Sequence, residues 1–134
     1  MRFNGHNILA IILAAVAIYA IEFVIFALII PGPSYESMVG LSAAQMTDGA
    51  ARMPYGAIMP ILAAIGLSLA VKWRGAVGLA QGFVTGAIIA ICFGFAATMY
   101  QFVYGAATLM WLPVSLAHFI IAYGVAGAIL SAWK

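Results

Sequence analysis

Between Arg74 and Lys134 the chain has no Asp, Glu, Lys or Arg. Charge is scarce elsewhere too, with 5 Lys and Arg against 3 Asp and Glu in 134 residues. Water-soluble domains cover their outer faces with charged side chains, and a chain this short has much outer face for its volume. A soluble globular domain is therefore excluded. The net charge of +2 is too small and too scattered for a nucleic-acid partner. A single cysteine, Cys92, rules out an internal disulfide. It stands in an apolar run, where a small buried hydrophobe is the expected role. No polar stretch is long enough for a separate soluble domain, so residues 1–134 read as one domain. Catalytic motifs are absent as well. No two carboxylates share a depth, no His or Cys residues have metal-ligand spacing, and no glycine-rich loop carries a phosphate-binding lysine. Ser115 lies one turn before His118, but no acid follows to complete a triad. No catalytic or metal-ligating residue is assigned, and the sequence leaves any cofactor unknown, metal or haem ligation at His118 being a minor alternative.

What the chain does contain is apolar length. Hydrophobic residues make up 67% of it and the mean hydropathy is +1.19. About 20 apolar residues cross a hydrocarbon core as a helix. Four segments meet that need, at residues 8–30, 54–71, 77–100 and 109–133. Pro31-Gly32-Pro33 closes the first, Pro54 opens the second, and Pro60 should kink the second from inside. Arg2 before an apolar run imitates a signal peptide, but the run from Ile8 to Ile30 is longer than a signal core of about 7 to 15 residues. It reads as an uncleaved first span. Exposed backbone polar groups are intolerable in lipid and these runs do not alternate polar with apolar, so helices are expected and a barrel is not. The expected fold is an all-α integral membrane protein, four transmembrane helices in an antiparallel bundle.

Basic residues set the orientation. Arg2, Lys72, Arg74 and Lys134 fall on one side of a four-span layout and Arg52 on the other. By the positive-inside rule both termini are cytoplasmic. Trp73 and Trp133 then mark the inner interface, and Trp111, Tyr100 and Tyr104 the outer one. The polar stretch from Pro31 to Met53 becomes an outer loop. Ser42 and Gln45 have capping-box spacing for a short helix, and Ser34 can cap another before Gly40. A short interfacial helical loop between the first two spans is expected.

Two features stand out within the spans. Gly78, Gly82, Gly86, Ala90 and Gly94 recur every four residues along one face of the third span. Small residues permit the close helix approach on which packing in lipid relies. Their partner is another span of the same bundle, or a second copy, another protein or a flat pigment. Gly124 and Ala128, with Ala117 and Ser131, form a second small-residue face on the fourth span. The other feature is Glu22, an acid deep in an apolar run. At about 1.5 Å per residue it stands roughly 21 Å from Ile8, inside the hydrocarbon. Intramembrane carboxylates are costly and mark function by default. His118 lies as far before Trp133 as Glu22 lies after Ile8, to within one residue, so the two share a depth. Cys92 falls in the same layer. A Glu22–His118 hydrogen bond is expected if the first and fourth spans are neighbours. Such a pair either fixes the register of the bundle or handles a proton or ligand. His6 sits at the inner face and cannot share a metal with His118 in one chain.

His118, the ending Gly127-Ala128-Ile129-Leu130-Ser131-Ala132-Trp133 and the stretch Met38-Val39-Gly40-Leu41-Ser42 stand out as motifs. With them the chain resembles a small bacterial four-helix membrane family catalogued as domain of unknown function 1761. Members commonly end the first span with an aromatic-Tyr-Ser-Pro motif, where this chain has Glu22-Phe23-Val24-Ile25-Phe26. The resemblance implies a four-helix layout in the bacterial inner membrane and implies no activity.

The favoured functional expectation is a non-enzymatic accessory or packing subunit, in lipid, within a homo-oligomer or a larger membrane complex. A small transporter or proton-handling protein is the alternative, with Glu22 and His118 at its centre and Gln81, Thr85, Thr98 and Gln101 along part of a path. A membrane enzyme using the same pair on a lipophilic substrate is a third.

Overall fold

The computed structural model describes residues 2–3 and 5–133. Lys134, one of the basic residues in the orientation count, lies outside the described residues. Strands β1 (Arg2–Phe3) and β2 (His6–Asn7) pair antiparallel around Gly5. Helix α1 (Ile8–Phe23) follows, its first turn capped by the Asn7 side chain, which accepts from the amides of Leu9 and Ala10. A π-helical segment, Val24–Ile29, continues it. Two short helices come next, α2 (Gly32–Val39) and α3 (Ala43–Ala50). A 3-10 segment, Met53–Ala57, leads into α4 (Ile58–Arg74). Helix α5 (Gly78–Ile89), a second π-helical segment (Ala90–Phe95) and α6 (Ala96–Tyr104) form one continuous rod. Helix α7 (Trp111–Ala132) ends the described chain.

Four of these helices are long and apolar enough to cross a membrane: Ile8–Ile29, Met53–Arg74, Gly78–Tyr104 and Trp111–Ala132. Each end that moved from its expected place has a local cause. The second span runs on to Arg74 because Lys72 and Arg74 in its last turn suit the partial negative charge of a helix C-terminus, and Gly75 then closes it in the left-handed region. The third span runs to Tyr104 and stops at Gly105. Pro60 lies inside the second span, just after its 3-10 segment gives way to α4. It is the third residue of α4, where backbone amides have no intrahelical partner to lose, and the irregularity appears instead as the 3-10 segment before it.

The centre is made of small side chains. Ala10, Ala14 and Ile18 on α1 meet Ala64, Leu67 and Val71 on α4 and Ala122, Ala126 and Leu130 on α7, all buried. On α1 and α7 these positions repeat every four residues, which gives each helix one inward stripe. Large apolar side chains face outward instead, among them Leu28, Ile29, Leu62, Phe93 and Tyr104. An apolar exterior on this scale suits lipid and not water. Helix α7 touches each of the other three spans, and its contact with α5 is the most extensive in the molecule.

That contact occupies the glycine face of the third span. A methyl group at Gly82 would collide with the Gly127 carbonyl, one at Gly86 with the Tyr123 carbonyl, and one at Gly94 with the Phe119 ring. Ala90 is fully buried between them. Gly78 has nothing near it and serves the first turn of α5 with a positive φ of 79°. On α7 the facing surface is centred on Gly124, Gly127 and Ser131, with Gly124 lying under the Phe83 ring. Ala128 is only half-buried and Ala117 is exposed. The two backbones approach at Gly127, which shifts the seam off the Ala117–Ala128 line.

The segment after the first span forms two helices. Ser42 and Gln45 make the reciprocal capping box at the start of α3. Ser34 does not cap α2, which starts earlier, at Gly32 behind Pro31. Gly40 ends α2 with a positive φ of 71° and lies directly against Ala106. The Thr108 amide and hydroxyl both donate to the Met38 carbonyl, at 2.8 and 3.2 Å. These contacts fasten the α2–α3 segment to the turn between α6 and α7.

Candidate functional site

An open cavity of about 960 Å³ lies between α1, α4, the third span and α7, with α2 and α3 at its rim. That is the upper end of the size usual for a small-molecule site, roughly 300 to 1,000 Å³. Its wall is mostly aromatic and aliphatic. Helix α1 supplies Tyr19, Glu22 and Phe23, and the π-helical segment after it supplies Phe26. The second π-helical segment supplies Phe93 and Gly94. Both π-helical segments of the chain thus border this cavity, the kind of place where such irregularities concentrate.

Glu22 and His118 meet at the wall. His118 Nε2 lies 3.6 Å from Glu22 Oε1, longer than a direct hydrogen bond of about 3.2 Å or less. Histidine 118 is 5% exposed, whereas the Glu22 side chain is 29% exposed. The pair forms because α1 and α7 are neighbours and the two residues share a level. Rings fix the imidazole from both sides. Phe26 stands edge-on to it at 5.0 Å between centroids, and Phe119 lies at 4.8 Å. Phe26 also meets Tyr35 at 5.6 Å and Trp111 at 5.8 Å, and Tyr35 meets Trp111 at 5.9 Å. These separations lie within the 4.5 to 7 Å typical of favourable aromatic pairs. Burial pushes the Tyr35 phenol above its ordinary value.

Polar atoms around the cavity are left unmatched. Trp111 Nε1, His118 Nε2 and Ser115 Oγ are buried with no hydrogen-bond partner among the described residues. Trp111 and His118 line the cavity and Ser115 does not. Glu22 is the only lining residue with a formal charge among the described residues, and none of them is Lys or Arg.

Other residues singled out in the sequence lie elsewhere. Cys92 is exposed and does not line the cavity. It sits between the inward positions Ala90 and Gly94 of the π-helical segment and faces away. Trp111 is turned into the aromatic cluster, whereas Trp73, Tyr100 and Tyr104 are largely exposed. Thr98 and Gln101 line the cavity, but Gln81 and Thr85 do not. Gln81 accepts from the Val77 amide, and Thr85 bonds the Gln81 carbonyl and the Arg74 guanidinium. His6 Nδ1 lies 2.7 Å from Ser68 Oγ in a separate small cavity of about 170 Å³, near Lys72 and Trp133. Ile18 and Ala122 are fully buried and line neither cavity, whereas the buried Leu67 lines the larger one. No three His, Cys, Asp or Glu residues come together among the described residues.

Phe26, Tyr35 and Trp111 were not singled out as site residues from the sequence. Phe26 follows Glu22 by one turn, and Trp111 precedes His118 by two, so each shares a face with the polar residue it accompanies. That spacing was the available signal. Tyr35 had none, because its place depends on how α2 folds back over the cavity.

No protein-family model, curated protein or solved structure matches this chain.

Proposed function

We propose that this chain is a non-enzymatic multi-pass protein of the bacterial inner membrane that takes a small lipophilic molecule into the cavity beside Glu22 and His118. The observation that carries this reading is an open, mostly apolar cavity of about 960 Å³ with Glu22, Thr98 and Gln101 among its lining residues. An apolar wall with a few convergent polar groups is the common form of a ligand site. In the topology that goes with this reading, the four spans are an antiparallel bundle with both termini cytoplasmic. Helices α2 and α3 lie on the outer interface, over the mouth of the cavity. The likeness to the domain of unknown function 1761 family fits the same layout.

Retention is favoured over transport by what lies beyond the cavity. Ile18 and Ala122 are fully buried and line neither this cavity nor the smaller one near His6. Gln81 and Thr85, which a path would need, are bonded locally. An accessory role in a homo-oligomer or larger complex now rests on the lipid-facing surfaces alone, since α7 occupies the glycine face.

Filling the cavity tests the proposal. Ala97 lines it and is exposed, so Ala97→Phe adds bulk at small cost to folding. Native mass spectrometry of the protein from mild detergent should show a bound small molecule in the wild type and at least tenfold less in the variant. Equal retention by the two would place the ligand elsewhere. A wild type that carries nothing and shows no saturable uptake of a lipophilic probe would end the reading.

A further inference from the structure

We infer that the cavity is built for an organic cation, a protonated amine or quaternary ammonium group on an apolar body. The inference rests on the reading of the cavity as a ligand site, and it fixes the sign of the ligand's charge.

Charge carries the first part of the case. Glu22 is the only lining residue with a formal charge among the described residues, and no Lys or Arg reaches the wall. In a site of low dielectric, a second negative charge beside a carboxylate is strongly unfavourable and a positive one is favourable. An anionic ligand meets that carboxylate, and no Lys or Arg offsets it. A neutral ligand leaves the carboxylate with the His118 ring alone, at 3.6 Å. A cation brings the carboxylate a full positive charge.

The rings carry the second part. Phe26 and Trp111 line the same cavity as Glu22 and lie 5.8 Å apart, and Tyr35 joins them within 6 Å. Ring faces attract a cation within about 6 Å of their centroids, and more strongly where water is excluded. Rings beside one carboxylate are a recurring way to hold an ammonium group. Met46, Met53 and Met59 complete the wall, and their flexible thioether side chains adapt to varied apolar bodies. The ammonium group can belong to a lipid headgroup or to a free lipophilic amine, and the chemistry of recognition is the same for both.

The test uses benzyltrimethylammonium and its uncharged carbon isostere, neopentylbenzene, with the full chain in neutral maltoside micelles. Binding is read by tryptophan fluorescence and checked by native mass spectrometry. The cation should bind at least tenfold more tightly than the isostere. Glu22→Gln should remove that preference, Glu22→Asp should keep most of it, and Phe26→Leu should weaken cation binding severalfold. Equal binding of cation and isostere to the wild type overturns the cation inference and leaves the cavity reading standing. No binding of either overturns both. A preference that survives Glu22→Gln also overturns the inference. The wild-type comparison stands even if a variant does not fold. Adding lipid locates the source. Displacement by phosphatidylethanolamine but not phosphatidylglycerol points to a headgroup amine, and displacement by neither points to a free amine. Either result supports the inference, while equal displacement by both lipids overturns it.

Discussion

At the scale of single residues, the molecule separates polar groups that are satisfied from those that are not. Thr98 returns its hydroxyl to the Gly94 carbonyl at 3.1 Å, as threonines in apolar helices commonly do. Ser115 is fully buried and its hydroxyl has no partner among the described residues. Burying an unmatched hydroxyl carries a desolvation cost that a methyl group does not. Ser115→Ala should therefore be neutral or stabilising, by up to about 1 kcal/mol. Thermal unfolding in detergent would show an unchanged or higher Tm, and a clear fall would reveal a partner for the hydroxyl. The sequence pointed to Glu22 and His118 because an acid and a histidine are conspicuous in apolar runs and depth can be counted. It did not point to Tyr35, since no periodicity reports how a loop helix folds over a neighbour.

Elements are held by how closely backbones approach. Gly82, Gly86 and Gly127 let α5 and α7 come together with carbonyls almost touching the opposite chain. In lipid such contact takes the place of the hydrophobic effect as the reason for helices to associate. Gly82→Leu should push the two helices apart, with a loss of about 2 to 4 kcal/mol, somewhat above ordinary overpacking because backbone must move. Gly66 in α4 has nothing within 4 Å. Gly66→Ala should gain roughly 0.5 to 1 kcal/mol from helix propensity alone. Opposite shifts in Tm for the two variants would be the expected record, and like shifts would contradict the seam. The positions of the four spans were legible because length and hydropathy decide them. The small-residue face of the third span was legible too. Its partner was not, because a four-residue repeat says which side of a helix is flat and nothing about what lies against it. Gly127 was passed over for that reason, and the π-helical segments left no mark in composition.

Across the whole molecule, the basic residues predict the orientation, and two cysteine substitutions test it. Asp48 in α3 and Trp73 at the end of α4 are both exposed. With Cys92→Ala as background, Asp48→Cys should react with an impermeant maleimide from the periplasm. Trp73→Cys should react only after the membrane is opened. The reverse pattern would invert the topology and turn the mouth of the cavity toward the cytoplasm.

Helix α7 holds the molecule together, and it is also the last of the four spans to leave the ribosome. It is the main neighbour of the first and third spans and also touches the second, and the Asn7 side chain donates to the Trp133 carbonyl at 3.2 Å, joining the start of α1 to the residue after α7. Until α7 is inserted, Glu22 has no histidine beside it and the glycine face of the third span has no cover. Before then only the contacts of the second span with the first and third can form. The larger part of the assembly is therefore a late event, which leaves the half-made protein open to membrane quality control for most of its synthesis.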